Sequence, residues 1–154
     1  MLYDTDFAKW AEEQAAHLTE GRFDLLDMGN LIEEVADLGR RQHDAVKSQL
    51  VRLLIHLLKL TYSQGAQEPH RQWRVSIIDA QSNLLQLLED NPSIRSHLET
   101  YLLESYQRAC KQASRELAAY DETHEPFPAT CPWTVEQVLD EMVASFMSRR
   151  NAAH

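Results

Sequence analysis

The chain reads as an all-α protein, a helical bundle of about five helices with a Pro-rich extended segment before the last helix. Three observations predict it. Apolar residues recur at steps of three and four from Phe7 to Phe146, the period of helices that each bury one face. Helix breakers are scarce, with 4 Gly and 5 Pro in 154 residues. No convincing strand, internal repeat or low-complexity tract occurs. At this length folding buries roughly 70% of the surface the unfolded chain exposes, so a single helical domain over 1–154 needs no disulfide or structural metal.

Taken in order, the first helix is expected from about Asp4, its cap, to Glu20. Phe7, Trp10, Ala11, Gln14 and Leu18 share a face, and Gly21 suits the position after its C-terminus. A second helix is expected from an N-cap at Asp27. Leu31, Val35 and Leu38 mark its inner face, and Glu33, Asp37, Arg40, Asp44 and Lys47 its outer face. Asp37 and Arg41 are spaced as an i,i+4 pair. Gly39 is placed to bend or break this helix. Beyond it, Leu50–Leu60 is apolar nearly all round, as a central helix is, and reads as the axis of the core.

Ser63–Glu68 reads as a loop, and Pro69 as a first-turn residue of a third helix. Trp73, Ile77, Gln81, Leu84 and Leu88 face inward there. Asn91-Pro92 reads as an N-cap and first helical residue, with Ile94, Leu98, Leu102, Ala109, Ala113 and Leu117 carrying a fourth helix to about Ala119. Pro126, Pro128 and Pro132 restrict the residues before them, so Tyr120–Trp133 is extended, pinned by Phe127 and Trp133. Thr134 and Gln137 have capping-box spacing. Val135, Val138, Leu139, Met142 and Phe146 then face inward on a last helix.

Composition excludes some functions. A net charge of -9 repels phosphate backbones and anionic membranes, so no nucleic acid and no membrane partner are expected. The longest apolar stretch, Leu50–Leu60, is too short to span a bilayer. Cys110 and Cys131 form no Cys-x-x-Cys pair, and the N-terminus MLYDTDFAKW lacks the pattern of a signal peptide. A cytoplasmic protein with reduced thiols is the expectation.

Five segments, NLIEEVADLGR (30–40), HLLKL (56–60), QWRVSI (72–77), the Asn91-Pro92-Ser93-Ile94 start and FPATCPW (127–133), carry a resemblance. In order and spacing they resemble an uncharacterised bacterial family, largely cyanobacterial, the domain of unknown function family twenty-nine. The likeness runs from about Tyr3 to Phe146. Where the family leads us to expect an aromatic after Leu57-Leu58-Lys59, this chain has Leu60, with Tyr62 two places on. The resemblance implies an all-helical fold and no activity, cofactor or catalytic residue.

Three constellations are candidates for chemistry. Glu33, Glu34 and Asp37 are acidic neighbours of the kind that bridge metals in helical bundles, but the Glu-x-x-His pairs such sites use are absent. Arg52, His56, Lys59 and Ser63 lie on one face, and Arg71 and Arg74 flank Trp73 on the next helix. Antiparallel packing would gather these cations into a site for a carboxylate or phosphate. His56, set among leucines, is expected to be part-buried with a carboxylate or Tyr hydroxyl as partner, while the long stem of Lys59 reaches water. Cys131 and His124 lack the paired spacing of a zinc site. No hydrolase elbow, phosphate loop or His-Glu-x-x-His motif occurs.

The reading is therefore a helical protein–protein interaction or regulatory module, with a protein partner or self-association, a homodimer included. The alternatives are a small-anion-binding protein or enzyme built on Arg52, His56, Lys59, Arg71 and Arg74, and a carboxylate-bridged metal protein. No cofactor and no metal are assigned, and catalytic residues stay unassigned.

Overall fold

The computed structural model describes residues 1–64 and 68–140. These are 81% helical and contain no strand. The chain divides into two compact units, Met1–Arg41 and Gln42–His154.

In the first unit the single helix expected over Asp4–Glu20 is two: α1 (Leu2–Thr5) and α2 (Phe7–Thr19). The break falls at Asp6, which turns extended at φ -150°, and its side chain accepts from the Lys9 amide at 3.1 Å. Asp6, not Asp4, is therefore the cap. At the far end Gly21 adopts φ +72°, and the amides of Gly21 and Arg22 close on the carbonyls of Leu18 and His17 at 3.2 and 2.8 Å. That is a Schellman ending, which requires a residue that tolerates the left-handed region.

α3 (Met28–Tyr62) follows. Asp27 precedes it as expected, and its carbonyl receives the Leu31 amide at 2.9 Å. Gly39 does not interrupt the helix, since the hydrogen-bonded ladder on either side offsets its ~1 kcal/mol penalty. Trp10, 4% exposed, donates from Nε1 to Asp27 Oδ2 at 3.0 Å. Gln14 Oε1 accepts the Asp27 amide at 2.7 Å, and Tyr3 donates to Glu34 Oε1 at 2.6 Å. These bonds seat α1 and α2 on one flank of α3, and leave another flank uncovered. Val35 and Leu38, expected to face inward, are 65% and 58% exposed.

In the second unit Leu50, Leu53, Leu54, Leu57, Leu58 and Leu60 are all at most 1% exposed, so Leu50–Leu60 is the core axis the sequence predicts. α4 (Glu68–Asp90) packs Ile77, Ala80, Leu84 and Leu88 into the core, with Pro69 in its first turn. α5 (Leu98–Ala119) contributes Leu102, Tyr106, Ala109, Ala113 and Leu117. The helix expected to start at Asn91 begins instead as a 3₁₀ segment, Pro92–His97. The Asn91 side-chain oxygen accepts no first-turn amide and so makes no cap, while its side-chain NH2 donates to the Leu87 carbonyl at 2.9 Å and to Gln42 Oε1 at 3.1 Å.

The Pro-rich segment is pinned as expected. Trp133 is 5% exposed, the Tyr62 and Phe127 rings meet edge-on at 5.8 Å, and Tyr106 donates to the Pro128 carbonyl at 2.5 Å. Thr134 and Gln137 form the predicted capping box of α6 (Val135–Leu139), whose Val138 is fully buried. Gln81 fastens α6 to α4, donating to the carbonyls of Val138 and Asp140 at 2.8 and 2.7 Å. The expected inward positions of Met142 and Phe146 lie outside the described residues.

Candidate functional site

A cavity of about 460 Å³ opens in the second unit, inside the size range of small-molecule sites. α3 supplies His56 and Lys59, and α4 supplies Gln72, Trp73 and Ser76. Tyr120 and Glu122, just after α5, complete the wall. The turn that brings them in is strained. Asp121 sits at φ +54°, while its amide and that of Glu122 close on the carbonyls of Ala118 and Leu117 at 3.1 and 2.9 Å. This is the helix ending seen at Gly21, built with an aspartate.

Two of the five cationic candidates meet here. Lys59 does not reach water as expected: it is 5% exposed, with Nζ 2.5 Å from Glu116 Oε2 and over the Trp73 ring at 5.8 Å from the centroid. The leucines beside it draw the stem inward, and Glu116 on α5 supplies the charge that burial demands. Burial works to raise the Glu116 carboxyl, but hydrogen bonds from Lys59 and Gln112 and the Lys59 charge outweigh it and hold it below the usual range.

His56 is part-buried, as predicted, but neither a carboxylate nor a Tyr hydroxyl, the partners expected for it, bonds its buried Nδ1, which has no hydrogen-bond partner among the described residues. Burial, with the Lys59 and Arg52 charges added, lowers its pKa to about 4 against the pull of Glu116, so the ring is neutral at pH 7. His70 tilts over Trp73 at 5.0 Å between ring centroids, and burial together with the Arg74 charge lowers its pKa as well.

The other three cations do not line the cavity. Arg52 lies 3.7 Å from Asp79, Arg71 is exposed, and Arg74 is half-buried with no partner for Nε among the described residues. Glu122, which accepts from Ser63 Oγ at 3.0 Å, adds a negative wall. The cluster drawn as cationic from sequence thus encloses a compensated Lys59–Glu116 pair, a neutral imidazole and a carboxylate. Sequence reasoning missed Glu116, Gln72, Ser76, Tyr120 and Glu122, and no local signal joins Glu116 to a lysine so far back along the chain.

The remaining candidates are engaged elsewhere. Glu34 takes the Tyr3 hydroxyl, and Asp37 pairs with Arg40 rather than Arg41. No group of three or more His, Cys, Asp or Glu is placed to hold a metal ion among the described residues. Burial pushes the Cys110 and Cys131 thiols up, the reverse of what a nucleophile needs. The His124 ring stacks on Phe127 at 4.4 Å.

A second feature belongs to the first unit. On α3, Met28, Ile32, Val35 and Leu38 are 54%, 61%, 65% and 58% exposed. At 3.6 residues per turn they fall within about 120° of one another around the helix axis. This is one apolar stripe, uncovered.

A family model, Domain of unknown function DUF29, matches residues 2–143. The chain belongs to this family. No curated protein and no solved structure matches it. Membership agrees with the resemblance carried by the five sequence segments and adds no residue role, so the functional argument rests on geometry. Among the described residues no helix is long and apolar enough to cross a membrane.

Proposed function

We propose that this DUF29 chain is a helical protein-interaction module that docks a protein partner on the apolar stripe of α3. The observation that carries the reading is that Ile32, Val35 and Leu38, spaced to face a core, are each more than half exposed. A helix stripe of this spacing is the form in which helices bind one another, through anchors at three- and four-residue steps. Exposed apolar residues gathered on one face mark interaction sites, whereas scattered ones carry no such meaning. The net charge of -9 keeps the chain soluble while that face stays available. A cytoplasmic setting fits the two free cysteines. The test is a photo-crosslinking residue placed at Val35, with the exposed Ser82 on α4 as control. Protein adducts at position 35 and none at 82 are expected. Equal labelling at both positions overturns the reading.

The cavity favours a second role, binding a small polar molecule. The unpartnered Nδ1 of His56 is the observation behind it. With Lys59 neutralised by Glu116 and with Glu122 in the wall, an uncharged ligand suits the lining better than the carboxylate or phosphate expected from sequence.

A further inference from the structure

We infer that the partner of the α3 stripe is a second copy of this chain, laid antiparallel across it about a two-fold axis. This rests on the docking reading above and adds the occupant and its register.

The argument starts from the order of residues along Met28–Arg41. Met28, Leu31, Val35 and Leu38 recur at steps of three, four and three, the seam of a two-helix pair. Met28, Val35 and Leu38 are exposed and Leu31 is half-buried. One flank of the seam carries Ile32 and Gly39, and the other carries Glu34 and Arg41. The charges are ordered, with Glu33, Glu34 and Asp37 first and Arg40 and Arg41 after.

Such a helix complements itself in one direction only. Antiparallel, Val35 of one copy packs on Leu38 of the other, and the symmetric pair repeats the contact. Glu34, whose Oε1 holds the Tyr3 hydroxyl of its own chain, then has its Oε2 left for Arg41 of the second copy, twice. Ile32 lies against Gly39, where an added Cβ would meet nothing within 4 Å, so the space over that glycine is open for it. The helix dipoles oppose one another, which also favours this direction. Parallel pairing brings none of these matches, because Glu34 and Arg41 are then a full two turns apart along the axis.

The seam is short, so the dimer falls at the small, reversible end of interface sizes, with Kd on the order of micromolar to tens of micromolar. Sedimentation of the full chain from about 1 to 300 μM reads this. The weight-average mass is expected to climb from 17.8 kDa toward twice that value. Val35→Asp is expected to hold the mass at 17.8 kDa with an unchanged far-UV spectrum, the site being exposed.

The register has its own test. Glu34→Arg and Arg41→Glu each place like charges together twice, and each alone is expected to weaken dimerisation about tenfold. In a mixture of the two variants, opposite charges face each other again at both contacts. The arginine introduced at position 34 of one copy meets the glutamate introduced at position 41 of the other, and the unaltered Arg41 of the first meets the unaltered Glu34 of the second. The mixture is therefore expected to dimerise like the parent. A parent that stays at 17.8 kDa throughout overturns the second-copy proposal, while Val35 adducts to a different protein would leave the docking reading standing. A dimer whose single variants gain nothing on mixing overturns the antiparallel register.

Discussion

Lys59→Ala is expected to destabilise the second unit severely, the opposite of what an exposed lysine would do. The side chain of Lys59 is 7% exposed and that of Glu116 35%, and they meet at 2.5 Å. Removing one member of a fully buried pair costs about 3–5 kcal/mol, most of it the penalty for the charge left behind. Glu116 keeps access to water on one side, which lowers the figure to about 2–3 kcal/mol. In a chain of this length each kcal/mol moves Tm by roughly 2–4 °C, so a fall of about 4–12 °C is expected.

Thermal and urea melts of Lys59→Met, Glu116→Gln and the double variant complete the cycle. Methionine keeps the volume of the stem, so the double variant, with neither charge, is expected near the parent; with each single variant costing about 2–3 kcal/mol, a coupling of about 4–6 kcal/mol follows. The pair also has a pH signature. The Glu116 carboxyl is depressed in the folded state, so its contribution is fully present above the ordinary carboxyl pKa and is lost as pH falls through the folded value. A Lys59→Ala melt within about 1 °C of the parent, or additive single variants, refutes the reasoning.

Two further outcomes follow from the same wall. His56 has a folded pKa of about 4 against an ordinary value of 6.5, so the unfolded chain binds its proton first and stability falls as pH drops through that window. After allowance for the part-exposed ring, the parent is expected to lose about 1–2 kcal/mol more than His56→Gln between pH 6.5 and 4, and parallel pH–stability curves exclude this. Asp121→Gly is expected to raise Tm by a few degrees, because it relieves a left-handed conformation that costs about 1 kcal/mol without glycine; an unchanged or lower Tm counts against strain at that turn.

Local chemistry is legible in the sequence, and long-range pairing is not. Gly21 ends α2 and Thr134–Gln137 boxes α6 because each needs only its own neighbours. Leu50–Leu60 is central because a helix apolar all round has nowhere else to go. The polar stripe of α3 locates His56 and Lys59 on one face, and both reach the cavity. Spacing gives an angle around a helix and nothing about depth, so it cannot say that Lys59 is buried. That depends on Glu116, on another helix. Nearness in sequence groups Arg71 and Arg74 with the cavity, but α4 turns Trp73 toward it and not them.

Val35 and Leu38 show the same limit from the other side. Their spacing establishes an apolar face on α3 but cannot say whether the chain covers it. In the first unit the fastening residues, Tyr3, Trp10 and Gln14, grip Glu34 and Asp27 at one edge of that face, and Ile32, Val35 and Leu38 stay open. An exposed apolar residue on its own is ordinary. A stripe at core spacing, with a charge order that matches its own reverse, is not explained by folding of one chain. That mismatch between a pattern that calls for burial and a fold that withholds it is the physical ground for expecting a second helix there.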